Sequence, residues 1–180
     1  MADHYLHQIV GDIILREFGE KVKGDFACCR DMSVREQLPL FSSKEKSRKT
    51  QLCKIDMLII SGNEVKVIIE IEESGMIPTK ICGKFLTSGL AKYYIHYGEK
   101  EVPLANPILF IQVLNSEKIP EKSSIQSQWV NIGKALQRLG EVDGRKLFYK
   151  LIFGEPKNFE KECGEELTGS IKKFLETGEV

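Results

Sequence analysis

The feature that most constrains the fold is an apolar segment, residues 65–73 (VKVIIEIEE), that ends in three acids. Its apolar run fits a strand covered on both faces, so the acids are expected at the edge of a core. Side chains alternate along a strand, so Glu70 and Glu72 share one face and Glu73 lies on the other, where we expect it to be solvated. Asp56 interrupts a second apolar run in the same way. Burying an unpaired carboxylate is costly, so these positions need a physical explanation.

The two apolar segments are joined by residues 61–64 (SGNE), which predict a β-hairpin. A two-residue turn at residues 62–63 would pair position 56 with 69 and turn Asp56 away from Glu70. A three-residue loop would pair position 56 with 68 or 70, and Asp56 would share a face with Glu70 and Glu72. We therefore predict the three-residue loop and a cluster of three carboxylates.

The hydrophobic periodicity beyond the hairpin alternates between helix and strand. Helices are predicted at residues 3–18, 79–97, 124–139 and 162–175, and strands at 34–41, 55–60, 65–73, 106–114 and 145–153. Pro78 is well placed as the first residue of the second helix. A hairpin followed by strand–helix–strand crossovers predicts the α/β class, with a mixed central β-sheet flanked by helices on both faces. Because no clear linker divides the 180 residues, residues 1–180 are expected to form a single domain.

Charge and cysteine content exclude several classes of protein. The formal net charge is zero, so affinity for nucleic acid must come from a local patch. Five cysteines, two of them adjacent, do not resemble a secreted disulfide framework, and the N-terminus does not resemble a signal peptide. The longest apolar runs are far shorter than a membrane span. We expect a cytoplasmic protein that has no membrane partner.

A polar segment at residues 42–54 carries a local excess of positive charge. One interpretation is a solvated loop. The other is a contact with a nucleic-acid backbone, since the release of counterions from phosphates favours such clusters. The candidate nucleic-acid-binding residues are Lys44, Lys46, Arg48, Lys49 and Lys54.

The predicted carboxylate cluster favours a metal site. Two unit charges about 4 Å apart repel by roughly 4 kcal/mol at an effective dielectric constant of about 20. A hard divalent cation offsets this repulsion, and Mg²⁺ or Mn²⁺ suits such oxygen ligands. An ion at this position polarises a phosphoryl oxygen and activates water, which is the chemistry of phosphodiester hydrolysis. The alternative is that Asp56 and Glu70 are strand acids paired with Lys54 and Lys66.

The run from position 34 to 97 resembles the PD-(D/E)XK nuclease superfamily. The family pattern is a helix, a β-hairpin bearing Asp and then Glu/Asp-x-Lys, a helix and a further strand. Here Ile55 and Asp56 take the place of the Pro-Asp pair, and EIE at residues 70–72 takes the place of the second motif. GKFLTSGLAKYYIH and NPILFIQVL match the helix and strand that follow. The resemblance implies a restriction endonuclease-like core at residues 1–115, with residues 116–180 as a C-terminal α/β extension packing on that core.

The resemblance also implies a function, that of a metal-dependent endonuclease hydrolysing phosphodiester bonds in DNA, of the restriction or repair type. Asp56, Glu70 and Glu72 would bind Mg²⁺ or Mn²⁺, and symmetric cutting of both strands would require a homodimer. Family members often add an acid from a neighbouring element. Glu36 is the candidate for that role, and the alternative is an edge glutamate.

The departure from the family lies at position 72, where Glu72 stands in place of the lysine that stabilises charge and positions the attacking water. One interpretation makes Glu72 a ligand or general base. Another takes the lysine from the following helix, where Lys80 and Lys84 share a face; Lys80 is preferred because it is nearer the strand end. A third is an inactive nuclease-fold protein acting as a DNA-binding or interaction module. A fourth is an α/β interaction domain without a nucleic-acid role.

Histidines and cysteines provide weaker candidates for ligands. His4 and His7 lie about one turn apart on the first helix and are expected to form a surface pair. Cys28, Cys29 and Cys53 lack the two-residue spacing that is usual in a zinc site. Neither set is included in the predicted site.

Overall fold

The computed structural model describes residues 5–24, 38–74, 77–96, 100–119 and 124–180. The described residues form four α-helices and nine β-strands. The helices are α1 (Tyr5–Phe18), α2 (Pro78–Leu90), α3 (Ser124–Leu139) and α4 (Phe159–Thr177). The strands are β1 (Val22–Gly24), β2 (Leu38–Phe41), β3 (Gln51–Ile55), β4 (Met57–Ser61), β5 (Glu64–Glu72), β6 (Tyr93–Tyr94), β7 (Val102–Asn115), β8 (Glu141–Val142) and β9 (Arg145–Gly154).

The strands form one mixed sheet. Five of them lie side by side in the order β1-β4-β5-β7-β9, with β4 antiparallel to β1 and β5, and with β5, β7 and β9 parallel. The long strand β7 also pairs near its start with β6, and β6 leads through β2 to β3. The predicted α/β class with a mixed central sheet is confirmed.

Helices cover both faces of this sheet, as predicted. On one face, α1 and α4 pack on alternate residues of the central strands, including Ile69 and Ile111. On the other face, α2 and α3 pack on the intervening residues, including Ile68 and Phe110. Because both faces of β5 and β7 are buried, their sequences are nearly continuous apolar runs. Glu70 and Glu72 continue the row of Ile68, so they belong to the α2 face.

The β4–β5 hairpin differs from the predicted loop. Gly62 and Asn63 form a two-residue turn, both with a φ of 63°, and Ile60 pairs with Val65. The predicted three-residue loop is therefore wrong. Two consecutive residues with positive φ characterise the tight turns whose twist matches a hairpin, and glycine and asparagine tolerate that conformation.

A β-bulge compensates for the shorter turn. The register shifts between Ile59 and Ile60, so that Ile59 pairs with Val67 and Lys66 is the extra residue. Beyond the bulge Met57 pairs with Ile69, and extending that register by one residue brings Asp56, which lies just before β4, to the position of Glu70. A bulge inserts one residue into one strand, which is the same one-residue offset that a longer loop would supply. The offset that brings position 56 toward position 70 therefore arises from the bulge.

Several predicted boundaries also change. The helix predicted at 79–97 begins at Pro78 but ends at Leu90, because the chain then turns into β6. The basic segment predicted as a loop up to residue 54 becomes strand β3 from Gln51 onward, since it pairs with β2. The strand predicted at 34–41 is described only as Leu38–Phe41; Glu36 lies outside the described residues.

The C-terminal third extends the same sheet. Strand β9 pairs in parallel with β7 over eight residue pairs, from Ile108 with Leu147 to Asn115 with Gly154. Helix α4 contributes Leu167 and Ile171 to the apolar cluster that α1 also enters. None of the four helices in the described portion combines the length and apolar character needed to cross a membrane.

Candidate active site

Asp56 is the single residue between β3 and β4, and it is tied to the neighbouring strand. Its Oδ2 accepts a hydrogen bond of 2.8 Å from the backbone N–H of Ile71. Ile71 directly follows Glu70 on β5, so the bond holds Asp56 beside Glu70. Burial acts to raise the pKa of Asp56, but the hydrogen bond and charge of His7 and the Ile71 N–H together hold that pKa below its ordinary value.

Glu70 is buried and faces a lysine from α2. Its side chain is 1% exposed, and both of its carboxylate oxygens lie 3.0 Å from Lys84 Nζ. The same ammonium donates to the backbone carbonyl of Lys54 at 2.6 Å. Burial, reinforced by the negative charge of Asp56, raises the pKa of Glu70 well above its ordinary value. The Lys84 ammonium therefore stabilises an ionised form that burial disfavours.

Glu72 has its own lysine, one turn earlier on the same helix. Lys80 Nζ lies 2.8 Å from Glu72 Oε2, and its side chain is 51% exposed. Residues four apart on a helix are separated by about 6 Å along its axis, and residues two apart on a strand by about 6.6 Å. The spacing of the two lysines on α2 therefore matches that of the two acids on β5. Lys80 was predicted to be the catalytic lysine in preference to Lys84, but Lys84 is the lysine that contacts Glu70.

Two further residues, His7 and Glu73, are linked to Asp56, His7 directly and Glu73 through His7. His7 belongs to α1, which packs on the face of the sheet opposite to α2. His7 Nε2 lies 3.5 Å from Asp56 Oδ2, and His7 Nδ1 lies 3.1 Å from Glu73 Oε2. Glu73 also accepts a hydrogen bond from the backbone N–H of His7 at 3.3 Å and another from that of Leu6, so it caps the first turn of α1. Burial alone would lower the pKa of His7, but the hydrogen bonds and charges of Asp56 and Glu73 raise that pKa to about 9.

These contacts correct two predictions. Glu73 was expected to be solvated, yet its side chain is 12% exposed and binds α1. His7 was expected at the surface, but it is half-buried between two carboxylates; His4 lies outside the described residues. No sequence signal pointed to Glu73, because the helix predicted at 3–18 begins with an acid of its own and the observed contact joins residues 66 positions apart.

The predicted alternative partners of the acids are not those observed. Lys66 pairs with Glu64 at 2.8 Å, and Lys54 contributes its backbone carbonyl to the site while its side chain is exposed. The cationic partners of Asp56 and Glu70 come instead from two helices, α1 and α2. Both acids are therefore held by groups that lie far from the hairpin in sequence.

The carboxylates of the site provide only part of the ligand set that a hard divalent cation needs. Among the described residues, no three His, Cys, Asp or Glu side chains form a group that could hold a metal ion. Asp56 and Glu70 are nevertheless neighbours, since the charge of Asp56 helps to raise the pKa of Glu70. Mg²⁺ often needs only one or two carboxylates, with waters and substrate oxygens completing its shell. Of the three predicted ligands, the structure brings Asp56 and Glu70 together. Glu72 lies on the same face, held by Lys80.

Most of the candidate nucleic-acid-binding residues lie away from these carboxylates, in a loop that carries Lys44, Lys46, Arg48 and Lys49, whereas Lys54 lies on β3 two positions before Asp56. The loop spans residues 42–50 and is closed by a hydrogen bond of 2.8 Å from Ser42 N to Thr50 O. Strand β3 separates the loop from Asp56, a distance of about 20 Å along an extended chain. Within the loop, Lys44 pairs with Glu101 at 3.1 Å and lies over the ring of Tyr93. Any contact of the loop with a polymer would therefore be remote from the acids.

Searches of protein-family models, of curated proteins and of solved structures find no match to this chain.

Proposed function

We propose that this protein is a metal-dependent endonuclease that hydrolyses phosphodiester bonds in DNA, built on a restriction endonuclease-like core of the PD-(D/E)XK type. The observation that carries the proposal is the position of Asp56 beside Glu70, held by the hydrogen bond from the Ile71 N–H, with the Lys84 ammonium at both oxygens of Glu70. The two acids and the lysine that the family pattern requires are then present. The lysine comes from α2 instead of position 72.

Asp56 and Glu70 are the residues that would hold Mg²⁺ or Mn²⁺, with Glu72 as a further acid on the same face. When bound, the ion would polarise the phosphoryl oxygen and lower the pKa of a coordinated water. Lys84 would stabilise the negative charge that develops on the phosphate, because its ammonium already lies in the site at both oxygens of Glu70. Lys80, the more exposed of the two lysines, would release Glu72 for a role as ligand or general base.

A second candidate is a nuclease-fold protein that has lost catalysis and serves as a DNA-binding or interaction module. The balance of charge in the site favours it. Four acids, Asp56, Glu70, Glu72 and Glu73, contact three cationic side chains, which are His7, Lys80 and Lys84. The three cationic side chains therefore offset most of the repulsion among the acids, which a bound metal ion would otherwise offset.

Plasmid cleavage separates these candidates. The protein is incubated with supercoiled plasmid and Mg²⁺ or Mn²⁺, alongside Asp56→Asn and a matched control, Glu64→Gln, in the same hairpin. We expect cleavage by the wild type and by Glu64→Gln, and loss of cleavage in Asp56→Asn. Cleavage that persists in Asp56→Asn would overturn the mechanism. Lys84→Met should reduce cleavage more than Lys80→Met does.

DNA binding without cleavage would support the second candidate. Gel-shift measurements with duplex and branched DNA at about 50 mM salt, where electrostatic contacts are strong, test this directly. Absence of binding to either DNA would favour an interaction domain without a nucleic-acid role. Sedimentation of the DNA complex would show whether a homodimer forms, as symmetric cutting of two strands requires.

A further inference from the structure

Gln112 is a fully buried polar residue in the middle of β7. Its side chain is 0% exposed, and its Oε1 accepts a hydrogen bond of 2.8 Å from the hydroxyl of Tyr149. Its Nε2 is buried and has no hydrogen-bond partner among the residues that the structure describes. A buried donor left without an acceptor costs free energy, and most buried polar atoms in proteins have partners. This amide therefore needs an explanation.

The sheet places Gln112 next to Glu70. In the parallel ladder Gln112 is registered with Glu70 on β5 and with Leu151 on β9. Gln112 continues the row of Phe110 on the α2 face, as Glu70 continues that of Ile68. Neighbouring strands lie about 4.8 Å apart, so side chains in register on one face are within reach of each other. Of the two flanking residues in register, only Glu70 carries a hydrogen-bond acceptor.

Tyr149 fixes the orientation of the amide. Burial raises the pKa of Tyr149, so its hydroxyl keeps the proton that it donates to Gln112 Oε1. Tyr149 lies on β9, and its hydrogen bond holds the carbonyl end of Gln112. The Nε2 end is thereby left for an acceptor other than Tyr149. Glu70 is at present oriented toward Lys84, which bonds to both of its oxygens.

We propose that Gln112 is a positioning residue for Glu70, whose Nε2 donates a hydrogen bond to the Glu70 carboxylate when the Lys84 ammonium moves away to a phosphate. The inference rests on the proposed function for the event that moves Lys84. Within the described part of the chain, Lys84 is the side-chain donor to Glu70, and a buried carboxylate that loses such a donor is destabilised unless another donor replaces it. Gln112 supplies that donor from a rigid central strand, so the Glu70 side chain stays oriented while Lys84 serves the substrate.

The donor exchange can be tested without DNA and without changing Gln112. Lys84→Met removes the ammonium, and the side-chain amide resonances of Gln112 are compared by ¹H–¹⁵N NMR in wild type and variant. We expect one Nε2 proton to shift downfield in Lys84→Met and to exchange more slowly with solvent. Adding Glu70→Gln to Lys84→Met should remove that shift. The amide of Gln137, which donates to the backbone carbonyl of Tyr149, serves as the internal control. A Gln112 amide that is unchanged in Lys84→Met would overturn the proposal.

Kinetics test the positioning role separately. In an active nuclease, Gln112→Leu should lower kcat by about tenfold, as loss of a supporting residue typically does, while KM for DNA stays unchanged. An unchanged kcat, even with the amide shift present, would show that Gln112 does not support the reaction. If the wild type fails to cut DNA, the proposed function fails, and the NMR comparison still decides whether Gln112 donates to Glu70.

Discussion

Glu70 and Lys84 form a buried ion pair that adds little to the stability of the protein. Glu70 is 1% exposed, whereas the Lys84 side chain is 21% exposed and retains some access to water. A buried ion pair is often no more stabilising than apolar side chains of similar volume, because both charges must lose their hydration. Packing and stability alone therefore give little reason for this pair. Titratable groups with perturbed pKa values in such surroundings tend to be functional, and this is the residue-scale argument for an active site.

Glu70 is more deeply buried than Lys84, so removing one side chain should change the free energy of unfolding by a different amount from removing the other. Lys84→Met leaves Glu70 buried without its cation, so the carboxyl group must either stay charged at a cost or take up a proton, and we expect a loss of up to about 3 kcal/mol in the free energy of unfolding. Glu70→Gln leaves a lysine that can reach water, and should cost about 1 kcal/mol or less. The double variant should be more stable than Lys84→Met alone. Urea denaturation at pH 7 without divalent ions measures all three.

A surface ion pair provides the matched control for this cycle. Lys172 Nζ lies 2.7 Å from Glu17 Oε2, a shorter separation than that of Lys84 from Glu70, but both side chains are open to solvent. Lys172→Met should therefore change stability very little. Equal losses of unfolding free energy in Lys84→Met and Lys172→Met would show that burial does not set the contribution of an ion pair in this protein.

His7 predicts a loss of stability at alkaline pH. Its pKa is raised from 6.5 to about 9 in the folded protein, because Asp56 and Glu73 outweigh the effect of burial. A raised pKa means that the folded state binds the proton more tightly than the unfolded state does. The stabilisation is complete below pH 6.5 and is lost as pH rises toward about 9, with an upper value of about 3 kcal/mol. Asp56 and Glu73 stay ionised in this range, because their pKa values are lowered.

Urea midpoints measured between pH 6 and pH 10 test this prediction. The wild type should lose stability across that interval. His7→Gln should start less stable at pH 6 and show a flatter profile, since the titrating imidazole is gone. Parallel profiles for the two proteins would show that His7 is not the group responsible.

At the scale of elements, regular periodicity made the helices predictable. Helix α3 spans Ser124–Leu139 as its apolar spacing predicts, and Pro78 begins α2. The proximity of Asp56 and Glu70 was also predicted, but through a loop that does not form. Residues 62–63 favour a tight two-residue turn, and the bulge at Lys66 then offsets the register by one residue. No residue pattern in the sequence indicates this bulge.

Contacts between distant elements account for the rest of what was missed. His7 lies 49 positions before Asp56 in sequence, and the two meet only because α1 packs against the sheet. Strand β3 was assigned to a polar loop because its residues have little apolar alternation. It becomes a strand by pairing with β2. Such features depend on tertiary packing, which overrides local preference.

Substitution by alanine should have opposite effects on stability at two glycines, Gly62 in the hairpin turn and Gly83 in helix α2. Gly62 has a φ of 63° and no atoms within 4 Å of an added Cβ, so Gly62→Ala is opposed by backbone conformation alone and should cost about 1 kcal/mol. Gly83 lies inside α2 with equally open space and no positive φ, so Gly83→Ala should stabilise by up to about 1 kcal/mol. Thermal unfolding of both variants measures the difference. Destabilisation by both would contradict the turn geometry described here.

At the scale of the whole molecule, the acids and the basic loop lie at opposite ends of β3. The separation of about 20 Å corresponds to roughly half a helical turn of duplex DNA. One duplex lying along β3 could therefore meet the carboxylate site with one phosphate and the basic loop with another. Since the chain has no net charge, this loop would supply much of the electrostatic attraction.

The salt dependence of DNA affinity tests that arrangement. Each phosphate contact contributes about 0.9 to the slope of log affinity against log salt, so Arg48→Ala combined with Lys49→Ala should lower the slope by about 1 to 2. Lys44→Ala should lower it less, because Lys44 already pairs with Glu101 and must leave that partner to meet a phosphate. Fluorescence anisotropy with a labelled duplex, measured from about 50 to 200 mM salt, gives the slopes. Asp56→Asn should leave the slope nearly unchanged, since its site lies at the other end of β3. Identical slopes for the wild type and the Arg48→Ala/Lys49→Ala variant would show that the loop does not contact DNA.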